Sequence, residues 1–304
     1  MIPTFPKFKK ITLEDKKEIE KIVSKLPPYS DFNFVSMWSW DIDNKISISK
    51  LNDNLVVLFT DYISGEPFLS FIGNKKPNKT SRALIEYSKK KYGKSYLKLL
   101  PEHVTKKLTS RSFNISNDLD SRDYIYRLSD MAKMDTWRGT SSHKKLSKGI
   151  RRFMRSNSDI SIRQDPLQKV DPKKYYQVYK NWAYAKRLKN HLDSNEFKAF
   201  RRIFKIKDNR LRIITLKVKG KIVGFSIFEL LNKRYALSHF AKGDTSHHSA
   251  VYNILNWQEA RILYSSGIRY YNWEQDLGIE GLRQSKLKYR PAFFLHKYRV
   301  KDDQ

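Results

Sequence analysis

Apolar positions recur at helical spacing from Leu13 to Leu26, where Pro27-Pro28 ends the run, and Asp31 to Trp40 predicts a second, short helix rich in aromatic side chains. Three strands follow. Lys45 to Lys50 alternates with Ile46 and Ile48 on one face, Leu55 to Thr60 is a continuous apolar run, and Pro67 to Ile72 ends at the turn pair Gly73-Asn74. Thr80 to Tyr92 returns to the helical period. Ser95 to Leu100 then predicts a strand, Glu102 to Leu108 a short helix and Asp123 to Leu128 another strand.

The next helical pattern is polar on an unusual scale. With about 100° between successive residues, Lys144, Lys148, Arg151 and Arg155 form one stripe with Lys145 and Arg152 beside it. Leu146, Ile150, Phe153 and Met154 fall on the opposite side, and Ser141 or Ser142 suits the helix start. Beyond it, Ile160 to Arg163 reads as a short strand, and Lys173 to Leu188 and Ser194 to Phe204 as helices. Leu211 to Val218 and Ile222 to Leu230 are strands joined at Lys219-Gly220-Lys221, and Arg234 to Ala241 completes an antiparallel meander. Ser249 to Tyr264 is a helix with Val251, Ile254, Leu255 and Ile262 inward, stopped by Gly267. Strand Ile268 to Trp273, a short helix near Gly281 to Leu287 and strand Ala292 to Val300 follow.

The two halves repeat one order: two helices, a three-strand meander, a helix, a strand, a short helix and a strand. No sequence identity supports the repeat. The order is that of the GNAT acyltransferase fold, in which the fourth and fifth strands splay and an acyl donor enters the gap. The expectation is an α/β chain of two tandem GNAT-like lobes, residues 1–130 and 131–304, the second beginning with the basic helix. Each lobe would be a mixed, mostly antiparallel sheet flanked by helices.

Charge adds a partner class. The chain of 304 residues has a net charge of +30, and residues 131–250, with 29 basic and 9 acidic side chains, hold +20 of it. Arg138, Lys144, Lys145, Lys148, Arg151, Arg152, Arg155 and Arg163 are accompanied over their stretch by one acid, Asp159. Such a face attracts polyanions: tRNA phosphates, an anionic lipid surface or the phosphates of a cofactor, unless it is only a solvated surface. The absence of Cys excludes disulfides, thiolate nucleophiles and Cys-ligated zinc. No run of about 18 apolar residues predicts an integral membrane segment, and the N-terminus lacks a signal-peptide apolar region. The expected location is the cytoplasm, or a peripheral position at the inner membrane face.

The stretch from Asn272-Trp273-Glu274-Gln275-Asp276-Leu277-Gly278 through Gly281-Leu282-Arg283-Gln284-Ser285-Lys286-Leu287-Lys288-Tyr289-Arg290-Pro291 resembles the closing motif of the phosphatidylglycerol lysyltransferase C-terminal-domain family. Ser30-Asp31-Phe32-Asn33-Phe34 with Trp38, the basic segment from Lys144 to Phe153, and His239-Phe240-Ala241-Lys242 before Asp244 extend the resemblance over nearly the whole chain. The resemblance implies a tandem GNAT-like fold and transfer of an amino acid from aminoacyl-tRNA to a lipid hydroxyl, while related transferases of this architecture build peptidoglycan bridges. The membrane-spanning flippase region of the full-length lipid synthases is missing from this sequence. That leaves a lipid or another amine or hydroxyl as acceptor.

In acetyl-CoA enzymes a Gly-rich turn after the fourth strand holds pyrophosphate. Here the turn is Lys242-Gly243-Asp244-Thr245-Ser246-His247-His248, with one Gly and an acid. It suits aminoacyl-tRNA better than acyl-CoA, which stays the alternative donor, and no cofactor or metal is expected. Aminoacyl transfer needs a proton acceptor and an oxyanion partner. Glu274 and Asp276, at the end of the fifth strand of the second lobe, are candidates for the first or for holding the donor's ammonium group, and Arg283 and Lys286 for the second. The same four residues also read as two plain ion pairs. Lys242 joins Arg138 and the basic helix as a donor-binding candidate, and His239 and Tyr289 as cleft residues, although both are also ordinary core types. Gly224 marks a bulge, a close approach or crowding, and Trp137, Tyr175, Tyr176, Tyr179, Trp182 and Tyr184 are aromatics for core or for base stacking. No P-loop, Gly-x-Gly-x-x-Gly or Gly-x-Ser-x-Gly is present. The competing class is a non-catalytic RNA-binding or membrane-binding protein on a GNAT scaffold.

Overall fold

Strands and helices alternate through the computed structural model, which describes residues 1–61, 64–157, 159–188, 194–246 and 248–302. The first part runs β1 (Lys9–Lys10), α1 (Lys16–Val23), α2 (Phe34–Trp40), β2 (Ser47–Leu51), β3 (Asn54–Thr60), β4 (Pro67–Ile72), α3 (Pro77–Tyr92), β5 (Tyr96–Pro101), α4 (Glu102–Thr105), β6 (Phe113–Asn117) and β7 (Asp123–Arg127). Then come α5 (Leu128–Met131), α6 (Ser141–Ser156), β8 (Ile160–Pro166), α7 (Pro172–Ala185), α8 (Asn195–Ile203), β9 (Leu211–Val218), β10 (Lys221–Leu230) and β11 (Tyr235–Gly243). The chain closes with α9 (Val251–Ser265), β12 (Tyr270–Asn272), α10 (Glu280–Leu287), β13 (Phe293–Leu295) and β14 (Lys297–Asp302).

Two compact units share this chain. Unit 1 comprises Met1–Asp123, Gln275–Glu280 and Phe294–Gln304, and unit 2 comprises Tyr124–Glu274 and Gly281–Phe293. The boundary falls at 123/124 rather than 130/131, and two C-terminal segments return to the first unit.

In unit 1, β1-β2-β3-β4 form an antiparallel sheet and β5-β14-β6 a second one, so β4 and β5 belong to different sheets. Val56, Leu69, Phe71, Leu84, Leu97 and Val300 meet in the unit's core. The sequence reads Ala292 to Val300 as one strand of the second lobe. Instead it divides at His296, and β14 pairs with β5 through Lys297↔Pro101 and with β6 through Val300↔Ile115. Strand β6 escapes the sequence reading because Phe113 and Ile115 alternate among Asn and Ser, a turn-like composition that only the β14 partner makes into a strand. Lys297 also anchors a buried ionic cluster. Its Nζ lies 2.6 Å from Asp123 Oδ1 and 3.2 Å from Gln275 Oε1 and is paired with Asp31, while Ser30 Oγ donates to Asp123 Oδ1 at 2.7 Å. Burial pushes the Asp31 carboxyl up despite the neighbouring ammonium. For Lys297, burial opposes the charge, but Asp123 and Asp31 outweigh it and hold the ammonium above its ordinary range.

Unit 2 is organised by one sheet, in which its strands run in the order β7-β12-β11-β10-β9-β8. The β9–β10–β11 meander is antiparallel, and β11 pairs with β12 in parallel. On one face Phe200 of α8 stacks on Phe225 at 5.3 Å and meets Phe240 at 5.5 Å. On the other, α9 presses close: a Cβ on Gly224 would meet Val251 Cγ2 and Leu255 Cδ1, each at 2.9 Å, and a Cβ on Gly243 would meet Val251 Cγ1 at 2.6 Å. The two glycines are therefore the contact surface for the start of α9, so of the readings open for Gly224 crowding holds, and a bulge sits beside it at Val223, where β10 slips against β9. Along α9 the buried residue of the last turn is Leu263, with Ile262 half-buried. Helix α6 is capped by Thr140, one residue before the serines expected to cap it, and buries Leu146, Ile150 and Phe153, while Met154 is exposed with the basic face.

Candidate active site

Strands β11 and β12 are hydrogen-bonded neighbours over Tyr235↔Tyr270, Ala236↔Tyr271 and Leu237↔Asn272. There β12 ends, three residues long rather than the six read from the sequence, while β11 runs on from Ser238 to Gly243. The two strands thus part at Asn272, which is the gap the fold class requires. Along this free stretch β11 carries a bulge: Ile227 of β10 faces Phe240 and Phe228 faces Ser238, so His239 is the extra residue.

Glu274 lies at the lower corner of that gap. Its backbone is left-handed, with φ at 57°, a conformation that a non-glycine residue holds only when its surroundings fix it. Three groups do so. Asn272 Oδ1 accepts from Glu274 N at 2.7 Å, Tyr124 N donates to the Glu274 carbonyl at 3.1 Å, and Lys286 Nζ of α10 donates to the carbonyls of Trp273 and Glu274 at 2.5 and 3.2 Å. Lys286 is buried, and its ammonium also lies over the Tyr124 ring at 5.4 Å. It therefore serves the backbone at the strand end. Arg283 lies half-buried on α10.

The Glu274 side chain keeps 23% of its surface exposed and faces His239, with Oε1 3.9 Å from Nδ1. The other ring nitrogen, Nε2, lies 3.7 Å from Glu229 Oε2, and Glu229 is buried on β10. Arg210 approaches Glu229 at 3.5 Å and is itself held by both oxygens of Asp208. Glu229 escapes attention in the sequence, although a single acid inside the apolar strand Ile222 to Leu230 is the signal of a buried charge needing partners.

The remaining candidates disperse. Asp276 belongs to unit 1, where it is buried and its Oδ1 accepts from Gly278 N at 2.9 Å, a turn that needs a carboxylate for local geometry. Lys242 is not on an open cationic face. It is buried, paired with Glu196 Oε1 at 2.7 Å and seated 3.8 Å over the Trp182 ring. Tyr289 is buried, donates to Asn253 Oδ1 at 2.8 Å, and has its phenol pushed up by burial, so it holds its proton. Trp137, Tyr175 and Tyr179 are core residues, Tyr176 and Trp182 are partly covered, and Tyr184 is exposed.

Lys144, Lys145, Lys148, Arg151, Arg152 and Arg155 are all exposed on α6, as is Arg138 before it. Arg151 donates to the Asp135 carbonyl and to Ser147, which leaves the other five to solvent. The helix crosses the start of α9: Phe153 meets His248 at 5.8 Å, and Gly149 faces the Asn253 amide. Arg290 closes the corner, donating to the Arg138 carbonyl at 3.1 Å and lying 2.7 Å from His143 Nδ1. Burial first, and then the Arg290 charge, lower the His143 imidazole. Helix α6 accordingly packs its buried side against the start of α9, and its basic face is turned to solvent.

One strongly shifted acid has no counterpart in the sequence reading. Glu259 of α9 is fully buried, and its Oε1 accepts from Ser226 Oγ of β10 and Tyr271 OH of β12, each at 2.8 Å. Burial pushes it up to about 7 against the pull of those two donors. Its place on the α9 stripe with Leu255 and Leu263 is the pattern that points to it. Among the described residues, no helix is long and apolar enough to cross a membrane.

Comparison with known proteins agrees with the GNAT-like fold. No curated protein matches the chain significantly. Among solved structures, a conserved protein of unknown function from Bacteroides thetaiotaomicron is similar over 100% of both chains, with 26% identity and a TM-score of 0.79. The C-terminal domain of a putative lysylphosphatidylglycerol synthetase from Agrobacterium fabrum follows at 12% identity and a TM-score of 0.68, covering 96% of this chain and 92% of that one. L-PGS from Bacillus licheniformis shares the fold at 14% identity and a TM-score of 0.62, with 94% and 91% covered. The family described as phosphatidylglycerol lysyltransferase, C-terminal, matches residues 24–301, from the end of α1 to β14. With two GNAT-like units and a match of that length, the chain belongs to this family of transferases.

Proposed function

We propose that the protein transfers an aminoacyl group from aminoacyl-tRNA to an amine or hydroxyl acceptor, a lipid headgroup included, in the gap between β11 and β12. The observation that carries this reading is the parting of those strands at Asn272, with the Glu274 carboxylate at the corner and the exposed basic helix α6 beside the outgoing loop. An aminoacyl ester is already activated, so the site has only to orient the nucleophile, take its proton and meet the oxyanion. Glu274 takes the proton, Arg283 supplies positive charge, and the cationic stripe of α6 holds the tRNA backbone. Lys286 acts on the backbone that presents Glu274. The turn after β11 favours this donor over acyl-CoA: Asp244 occupies it, accepting from Ser246 N at 3.0 Å, where a pyrophosphate would need free N–H groups.

The test is a mixture of charged tRNAs incubated with the protein and candidate acceptors, read by mass spectrometry. The expected result is an acceptor adduct heavier by one aminoacyl residue. Glu274→Gln should lower its rate by about 100-fold or more while tRNA affinity stays within about twofold. No adduct from any charged tRNA, with no tRNA binding at low salt, would overturn the reading. Binding without transfer, abolished by charge reversal on α6, would establish the non-catalytic RNA-binding alternative instead.

A further inference from the structure

We propose that His239 is a positioning residue for the proton-accepting carboxylate of Glu274, set between it and the buried carboxylate of Glu229; this deepens the transfer reading and rests on it. The β11 bulge inserts His239 as an unmatched residue between Ser238 and Phe240, which brings its ring within reach of Glu229 on the neighbouring strand β10. Each ring nitrogen then faces a carboxylate: Nδ1 lies 3.9 Å from Glu274 Oε1, and Nε2 lies 3.7 Å from Glu229 Oε2. The His239 side chain is 2% exposed, Glu229 1% and Glu274 23%, so the line runs from the interior to the open corner of the gap. Arg210, 3.5 Å from Glu229 and fixed by Asp208, closes the buried end.

The consequence falls on Glu274. With the ring beside one of its oxygens, the carboxylate is biased toward the open corner of the gap, where it takes the acceptor's proton. In the transfer step the acceptor's nitrogen or oxygen bonds to the ester carbon and the bond from that carbon to the ribose oxygen breaks. The proton leaves the acceptor for Glu274 and passes to the departing ribose oxygen, so tRNA is released with a free hydroxyl and Glu274 returns to its starting charge. His239 acts through Glu274 throughout. Both nitrogen–oxygen separations are longer than hydrogen bonds, as catalytic contacts commonly are before substrate binds.

The experiment uses the full chain with whichever charged tRNA and acceptor the wild type accepts. His239→Gln and Glu229→Gln should each lower kcat by about 10- to 100-fold, with KM for the charged tRNA within about twofold. The double variant should be no slower than the slower single one, because the two residues act in one line. Added imidazole should restore His239→Ala by about tenfold. Should His239→Ala fail to fold, the two Gln variants and their double carry the test. Transfer by His239→Gln within about threefold of wild type, or additive losses in the double variant, would overturn the proposal while leaving the transferase reading in place. A wild type that transfers nothing overturns both.

Discussion

Replacing Glu259 by Gln should remove a pH-dependent load from unit 2. The carboxyl titrates near 4.5 when exposed and at about 7 in its buried place between Ser226 and Tyr271. Between those values the folded chain keeps a proton that the unfolded chain loses, so the contribution is whole below pH 4.5 and declines as pH rises through about 7. A gap of about 2.5 pH units at about 1.4 kcal/mol each gives a full loss of about 3.5 kcal/mol, of which about 3 kcal/mol falls between pH 4.5 and pH 7.5. Gln keeps the side-chain oxygen that both hydroxyls donate to and has no proton to lose. Urea denaturation of wild type and Glu259→Gln should therefore show a stability difference that moves in the variant's favour by about 3 kcal/mol from pH 4.5 to pH 7.5. A difference that stays constant across that range would refute the reasoning.

Three further outcomes follow from the packing and charge. Gly243→Ala puts a Cβ 2.6 Å from Val251 Cγ1 and should cost about 1–3 kcal/mol in denaturant unfolding; Gly281→Ala, with nothing within 4 Å on α10, should instead gain about 0.5–1 kcal/mol. Lys297→Met leaves the buried Asp31 and Asp123 carboxyls without their ammonium and should cost about 3–5 kcal/mol at neutral pH; a cost below about 1 kcal/mol would contradict the cluster's role. Reversing Lys144, Lys148, Arg152 and Arg155 to Glu should weaken tRNA binding, measured by filter retention, and flatten the slope of log K against log salt by about 0.7–0.9 for each phosphate no longer neutralised.

Much of the fold is legible in the sequence because the periodic segments are long and clean. Leu211 to Val218 and Pro67 to Ile72 have the bounds that alternation and turn residues give them. The errors lie where tertiary partners decide. Strand β14 reads as the tail of the second lobe but completes the β5–β6 sheet, because the sheet assignment of a strand depends on a partner nearly 200 residues away in sequence. At the site, the motif points to Glu274 and Lys286 but not to their relation: an ammonium bonded to two carbonyls leaves no spacing signature, whereas a salt bridge at helical spacing would. Lys242 reads as part of the cationic surface because sequence charge carries no burial, and Trp182 and Glu196 cover it. Asp276 joins Glu274 only by proximity along the chain, which passes from unit 2 to unit 1 between Glu274 and Gln275.

The most direct test of the central claim is to locate the end of the donor. A tRNA carrying a photoreactive group at its 3′ adenosine, irradiated with the full chain and followed by peptide mapping, should mark Ser238–Asp244 of unit 2 and residues 272–274. Labelling confined to unit 1, or no labelling above that of an uncharged single-stranded RNA, would contradict the account.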